Sequence, residues 1–229
     1  MAAEKDIDKV VQDRFFPTQK QGVLIEVGAA DPSYLSIGAS FRKRDWTVIA
    51  VEPNPYFCEK HIAAGQPILQ YACGSEDKDD VDFYLVYSKG VECLGGNVTF
   101  ESASSLGIKD EFAADLKKFV DHPEITKIKV KVRRLDTILA EHYPQVGSVD
   151  MIAIDVEGWE LEVMRGLSVE RFRPRVVVLE NYFRSRSYRS FMRKLGYRRW
   201  LRLKPNEIYV RKDEKLTLGE RLRMAFSRR

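Results

Sequence analysis

Two stretches decide the fold: Gly22-Val-Leu-Ile-Glu-Val-Gly-Ala-Ala30 and Trp46-Thr-Val-Ile-Ala-Val-Glu-Pro-Asn-Pro55. Each opens on an apolar run too short for a buried helix and rich in β-branched residues, and each closes on turn-forming residues. Continuous rather than alternating apolarity predicts strands covered on both faces, at 22–27 and 46–51. Between them, 34–43 places Leu35, Ile37 and Phe41 at helical spacing. A helix over 56–64 and a third short strand over 67–72 follow. Strand, helix, strand, helix, strand with short connections makes right-handed crossovers and a parallel sheet.

The same alternation resumes later, with a buried strand at 149–155, a helix at 160–166 and a strand at 175–179. A helix at 187–195 stops at Gly196, and strands at 197–203 and 208–211 flank Lys204-Pro-Asn-Glu207 as a hairpin. The middle differs. Alternating polarity at 81–87 and 128–132 predicts half-solvated antiparallel strands, separated by a Gly/Ser-rich stretch (95–107) and a helix at 109–120. Asp136 is expected to cap a helix over 136–142. The expected fold is therefore Rossmann-like α/β, a doubly wound, mostly parallel sheet ending in an antiparallel hairpin. It forms one domain over 1–213, with an N-terminal helical segment (1–21), an insertion (75–133) and a basic amphipathic tail (214–229).

Composition narrows the classes. No apolar run approaches the ~20 residues needed to cross a bilayer, and 1–21 has no apolar core of a secretory signal. Cys58, Cys73 and Cys93 fit neither a zinc spacing nor a disulfide framework, so a reducing cytoplasm is the expected location. The net charge of +4 conceals an imbalance: 184–229 holds sixteen Lys/Arg against four acids, and the remainder holds 22 basic against 30 acidic residues. A basic C-terminal fifth attracts anions without naming them.

The chemistry collects at strand ends. A Gly-Ala-Ala turn after a buried strand lets a ligand approach the backbone and aims N–H groups at it. Pro32 and Ser33 occupy the place of a third glycine, which argues against a dinucleotide pyrophosphate. Glu52, about twenty-five residues after the turn, suits the two hydroxyls of an adenosine ribose. Asp155 and Glu157 end the next buried strand and Glu180-Asn181 the one after, so Glu26, Glu52, Asp155, Glu157 and Glu180 line one rim. Strand-end acids are costly unless they bind something.

Glu26-Val-Gly-Ala-Ala30, Val51-Glu-Pro-Asn-Pro55, Arg134-Leu-Asp-Thr-Ile138, Ile154-Asp-Val-Glu-Gly-Trp-Glu-Leu-Glu-Val-Met-Arg-Gly-Leu167 and Val178-Leu-Glu-Asn181 together resemble the FkbM-type methyltransferase family, in order from about Gly22 to Asn181. The resemblance implies S-adenosylmethionine as cofactor and O-methylation of a saccharide or glycosylated small molecule. It places Gly28 and Ala30 against the methionine part, Glu52 at the ribose, Ala72-Cys73-Gly74 beside the adenine and Ser104/Ser105 in a nearby loop. Glu26, Ala29, Pro53, Asn54 and Asp155 complete the expected cofactor-binding set. The Pro32-Ser33 turn and the Arg-rich C-terminus depart from the family pattern.

Methyl transfer to a hydroxyl needs alignment and a proton acceptor. Glu157 is the first choice of base and Asp155 the second. Mg²⁺ held by Asp155, Glu157, Glu180 and Asn181 is a less favoured alternative. His61, His122 and His142 read as surface residues, with His122 a reserve base. Trp159, Tyr84, Tyr87 and Phe100 read as packing residues first and acceptor-site residues second, and Cys73 as a small apolar residue rather than a nucleophile. Competing functions are a nucleic-acid methyltransferase, prompted by the basic C-terminus, and a non-catalytic cofactor-binding scaffold. In the tail, Leu218, Leu222 and Phe226 form one helical stripe flanked by arginines. That stripe is expected to dock on the domain or on a second subunit, with peripheral contact to an anionic membrane as the alternative.

Overall fold

The computed structural model describes residues 6–87, 92–93, 98–99, 104–107 and 124–226. Ile7–Phe15 is α1, Val23–Val27 β1, Ile37–Arg42 α2, Thr47–Val51 β2 and Pro55–Ala63 α3. Helix α2 begins where the Ser36 hydroxyl accepts from the Ala39 N–H at 3.1 Å, and α3 where Asn54 does the same for Tyr56 with Pro55 at its first position. Next come β3 (Ala72–Cys73), β4 (Lys78–Tyr87), β5 (Glu92–Cys93), β6 (Val98–Thr99) and β7 (Glu124–Arg133). The last part of the chain is α4 (Leu135–His142), β8 (Met151–Ile154), α5 (Glu160–Arg165), α6 (Val169–Phe172), β9 (Val176–Glu180), α7 (Arg186–Lys194), β10 (Tyr197–Leu203), β11 (Asn206–Arg211) and α8 (Leu218–Phe226).

Six strands form the main sheet in the order β10-β11-β9-β8-β1-β2, parallel from β2 through β9 and antiparallel at β11 and β10. Side chains alternate between its two faces, as a pleated strand requires. Ile25, Ile49, Ile152, Val177 and Tyr209 pack into one core with α4, α5, α6 and α7. Leu24, Val48, Met151, Val178 and Ile208 pack into the other with α1, α2, Trp46, Trp200 and Leu216. This is the doubly wound arrangement expected from the buried runs.

Three local expectations change. The third strand at 67–72 is reduced to a single bridge, Leu69 to Val51, and β3 instead joins β7 and β4 in a separate three-stranded sheet. Asp136 does not cap α4: it lies in the first turn, and its carboxylate accepts from the Ser168 N–H and hydroxyl at 2.7 and 2.6 Å. The tail docks on the α1 side through buried Leu216 and through Glu220, which accepts from Arg14 and from the Trp200 indole N–H at 3.0 Å. Leu218 and Leu222 stay exposed, so these two residues of the apolar stripe do not dock on the domain. Phe100, His122, the expected helix at 109–120 and the side chains of Cys93 and Phe226 lie outside the described residues. No helix among the described residues is long and apolar enough to cross a membrane.

Candidate active site

Parallel register brings four strand ends level: Val27 stands beside Val51 and Ile154, and Ile154 beside Leu179. Gly28, Glu52, Asp155 and Glu180 therefore emerge on one rim. The first turn folds across β2, with the Gly28 and Ala29 N–H groups donating to the Val51 carbonyl at 2.9 and 3.3 Å. Gly28 has φ +75°, and a Cβ built there would stand 1.8 Å from the Asp155 carbonyl oxygen. Only glycine permits that approach.

Glu52 is buried and accepts one backbone N–H at each oxygen, from Ala30 at 3.1 Å and from Asn54 at 2.8 Å. A carboxylate has about four acceptor positions, so capacity remains for two hydroxyl donors. Burial, helped by the nearby charge of Asp155, raises its pKa to about 7 even though the two amides oppose the shift. Cys73 is buried near enough to feel the Glu52 charge, and burial pushes its thiol far up, consistent with an inert apolar residue. Ala72 is buried with it, and the Gly74 N–H donates to Arg133 O at 3.2 Å. Asn54 both caps α3 and brings its amide 3.5 Å from the Ser104 hydroxyl, drawing 104–107 to the β2 end. Ser105 pairs its backbone with Tyr84 and is 3% exposed. Pro53, between Glu52 and Asn54, also lines an open cleft of about 380 Å³ with Leu69, Tyr71, Ile128 and His142.

Glu26, expected at the rim, and His61, expected at the surface, both serve the first turn instead. The Glu26 carboxylate accepts from the Ser36 hydroxyl at 3.0 and 3.2 Å and from the Gly38 N–H at 2.9 Å, and so anchors the start of α2. His61, expected at the surface, is fully buried with Nε2 3.1 Å from the Ala30 carbonyl oxygen, and burial lowers its pKa. It packs under the first turn. His142 is the partly exposed one, 3.3 Å from the Tyr71 hydroxyl.

The acids converge. One carboxylate oxygen from each of Asp155, Glu157 and Glu180 lies within 4.8 Å of the other two. Burial holds the Glu157 and Glu180 carboxyls well above the usual range, and the charges of Asp155 and Glu160 push both further. A raised pKa makes a carboxylate a stronger proton acceptor, which is the direction acid–base catalysis needs. Asn181 is not available to the cluster: its amide spans the next loop, donating to Ser185 O at 3.1 Å and accepting from Ser185 N at 2.8 Å.

Glu160 and Tyr188 were not anticipated as site residues. Glu157 and Gly158 have φ +55° and +95°, the left-handed region that costs a non-glycine residue about 1–3 kcal/mol. The fully buried Glu160 carboxylate holds that loop by accepting from Val156 N at 3.2 Å and Gly158 N at 2.9 Å, and its other oxygen accepts from the Tyr188 hydroxyl of α7. An acid at the first position of a short helix after a strand-end turn was the readable signal for Glu160. Nothing local marks Tyr188, 28 residues on.

Comparison with known proteins adds three findings. A family model described as methyltransferase FkbM domain matches residues 26–199. Methyltransferase sdnD of Sordaria araneosa is 36% identical over 63 residues, which cover 24% of each protein. The crystal structure of methyltransferase FkbM from Methylobacillus flagellatus KT superposes with a TM-score of 0.50 at 13% identity, over 86% of this chain. The chain covers 46% of that structure's length.

Proposed function

The chain belongs to the FkbM methyltransferase family, and from that premise we propose that it transfers a methyl group from S-adenosylmethionine to a hydroxyl of a saccharide or glycosylated small molecule. The observation that carries the reading is Glu52, a buried carboxylate held between two backbone amides with acceptor positions left over, level with the Gly28 turn and the three clustered acids. The donor set fits an adenosine ribose at Glu52, the methionine part along Gly28–Ala30, and the adenine near Ala72, Cys73 and Gly74. Bound S-adenosylmethionine would supply a sulfonium-activated methyl group.

This chain's residues then have two tasks. The first is alignment: the Gly28 turn and the Glu160-held loop fix the rim against both ligands. The second is proton transfer. A carboxylate would take the proton from the acceptor hydroxyl as that oxygen is methylated, a role for which Glu157 fits best and Asp155 second. Asp155 shares a hydrogen bond with Glu180, whereas Glu157 stands on the strained turn beside Gly158.

The same oxygens within 4.8 Å would also suit a divalent cation. Mg²⁺ stays the second reading, because Asn181, the fourth expected ligand, is already engaged with the Ser185 backbone. The basic C-terminal residues give little support to nucleic acid as substrate. They are spread over α7 on one face of the sheet and α8 on the other, and Arg199, Arg211 and Arg223 are engaged with Glu207, Asp213 and the Trp200 ring. The test is a binding and turnover series. Calorimetry should show S-adenosylmethionine and S-adenosylhomocysteine binding while NAD and NADP do not. Glu157→Gln should cut turnover by about 10²–10⁴ with cofactor affinity retained, and EDTA should leave turnover unchanged. NAD binding in place of the methyl donor would overturn the reading.

A further inference from the structure

The left-handed backbone of the first turn does not end with Gly28. Ala30 has φ +36°, a region that a residue with a Cβ leaves unless its surroundings hold it there. Its N–H and its carbonyl flank its two dihedrals, and both are tied. The N–H donates to Glu52 at 3.1 Å. The carbonyl meets the fully buried His61 ring of α3, with Nε2 at 3.1 Å. The residue that follows is tied as well. Lys60 pairs with Asp31 at 2.9 Å, and the Asp31 carboxylate accepts from the Ser33 and Tyr34 N–H groups at 2.9 and 3.1 Å. Consecutive residues of α3 thus grip consecutive residues of the turn, and Pro32-Ser33, which departs from the family pattern, is the loop that Asp31 closes.

A carbonyl oxygen only accepts, so Nε2 carries the ring proton. Burial and the nearby Arg42 guanidinium lower the His61 pKa, and the ring stays neutral with that one proton. We propose that His61 is a positioning residue for cofactor binding: its Nε2–H holds the Ala30 carbonyl and so keeps the Ala30 N–H aimed at the carboxylate that receives the ribose. The assignment rests on the cofactor reading of Glu52. Without the His61 donor, Ala30 relaxes toward negative φ, its peptide groups turn, and Glu52 loses one of the two amides that hold it. Only the fraction of chains that keeps the turn then binds at full strength, and the apparent affinity falls by that fraction. His61 itself meets no ligand and acts through Ala30.

The full chain is titrated with S-adenosylhomocysteine by calorimetry in wild-type form and as His61→Leu, His61→Gln and His61→Leu with Ala30→Gly. His61→Leu, which keeps bulk and loses the donor, should weaken binding about 10-fold or more. His61→Gln, whose amide can place an N–H near the Nε2 position, should stay within about threefold of wild type. Adding Ala30→Gly to His61→Leu should recover most of the loss, because glycine takes positive φ without strain. A histidine that merely filled the core would not be rescued from residue 30. Nitrogen NMR on the wild type reads the tautomer independently of how any leucine variant folds. Among the three histidines, the His61 signals, identified by their loss in His61→Gln, should show a neutral ring protonated at Nε2. Wild-type affinity in His61→Leu, a loss that Ala30→Gly leaves unrestored, or a ring protonated at Nδ1 overturns the positioning role and leaves the cofactor reading standing. A wild type that does not bind S-adenosylhomocysteine overturns both.

Discussion

Protonation of Glu52 should control cofactor affinity. Its carboxyl is lifted from 4.5 to about 7 by burial and by Asp155, so near neutrality it is about half protonated. A ribose offers two O–H donors, and only the ionised carboxylate can accept both while keeping the Ala30 and Asn54 amides. With a pKa of about 7, roughly a tenth of the chains are ionised at pH 6 and roughly nine-tenths at pH 8, so affinity should rise about tenfold across that interval and then level off. The assay is calorimetry with S-adenosylhomocysteine from pH 5.5 to 8.5, repeated in buffers of different ionisation enthalpy to count the proton released on binding. Glu52→Gln should bind about 2–4 kcal/mol more weakly, with the slope removed. Stability carries the opposite sign. The folded chain keeps a proton that the unfolded chain releases, so this contribution is complete below about pH 4.5 and is lost as pH rises through about 7, a change of about 3 kcal/mol. A wild-type affinity flat across the range, or a Glu52→Gln variant with an undiminished slope, would refute the ribose assignment.

Three further outcomes follow from other contacts. Tyr188→Phe leaves Glu160 with two of its three donors, and should cost about 1–2 kcal/mol in chemical denaturation and lower turnover while cofactor affinity stays within a few-fold. Unchanged turnover at reduced stability would make Tyr188 merely structural. Gly28→Ala drives a methyl into the Asp155 carbonyl, 1.8 Å from the ideal Cβ position, and should cost more than about 3 kcal/mol and abolish S-adenosylhomocysteine binding, as read by thermal shift. Truncation after Asp213 removes the Arg175–Glu214 and Arg14–Glu220 pairs and buried Leu216, and should lower the melting temperature by several degrees. If the exposed Leu218–Leu222 stripe meets an anionic surface, the full chain and not the truncation floats with anionic vesicles at low salt.

The architecture was legible where burial dictates composition. Runs such as 23–27 and 176–180 are apolar at every other position on both faces because both faces are covered, and short turns between them leave few topologies. The segment at 67–72 misled for the same reason: Leu69 has strand-like neighbours, but only one residue reaches β2, and pairing with a distant strand is invisible to local pattern. At the site, the turn and Glu52 were legible because a ligand's needs fix their spacing. The fates of Glu26, His61 and Asn181 were not. Two are polar at strand ends and one lies on a helix, and only tertiary structure shows that helix α2, the Ala30 carbonyl and the Ser185 backbone already occupy them. Glu160 sat within a recognised motif, yet its partner Tyr188 arrives from a helix that sequence cannot aim.

The close approach of Gly28 to the Asp155 carbonyl has a mechanical corollary. With no side chain between them, the turn after β1 packs directly on the loop after β8, so a shift in one presses on the other. A ligand that settles the first turn therefore also sets the angle from which the acids of the second meet their target. The two parts behave as one jaw, and a substitution that tightened grip at the turn would re-aim the acids with it.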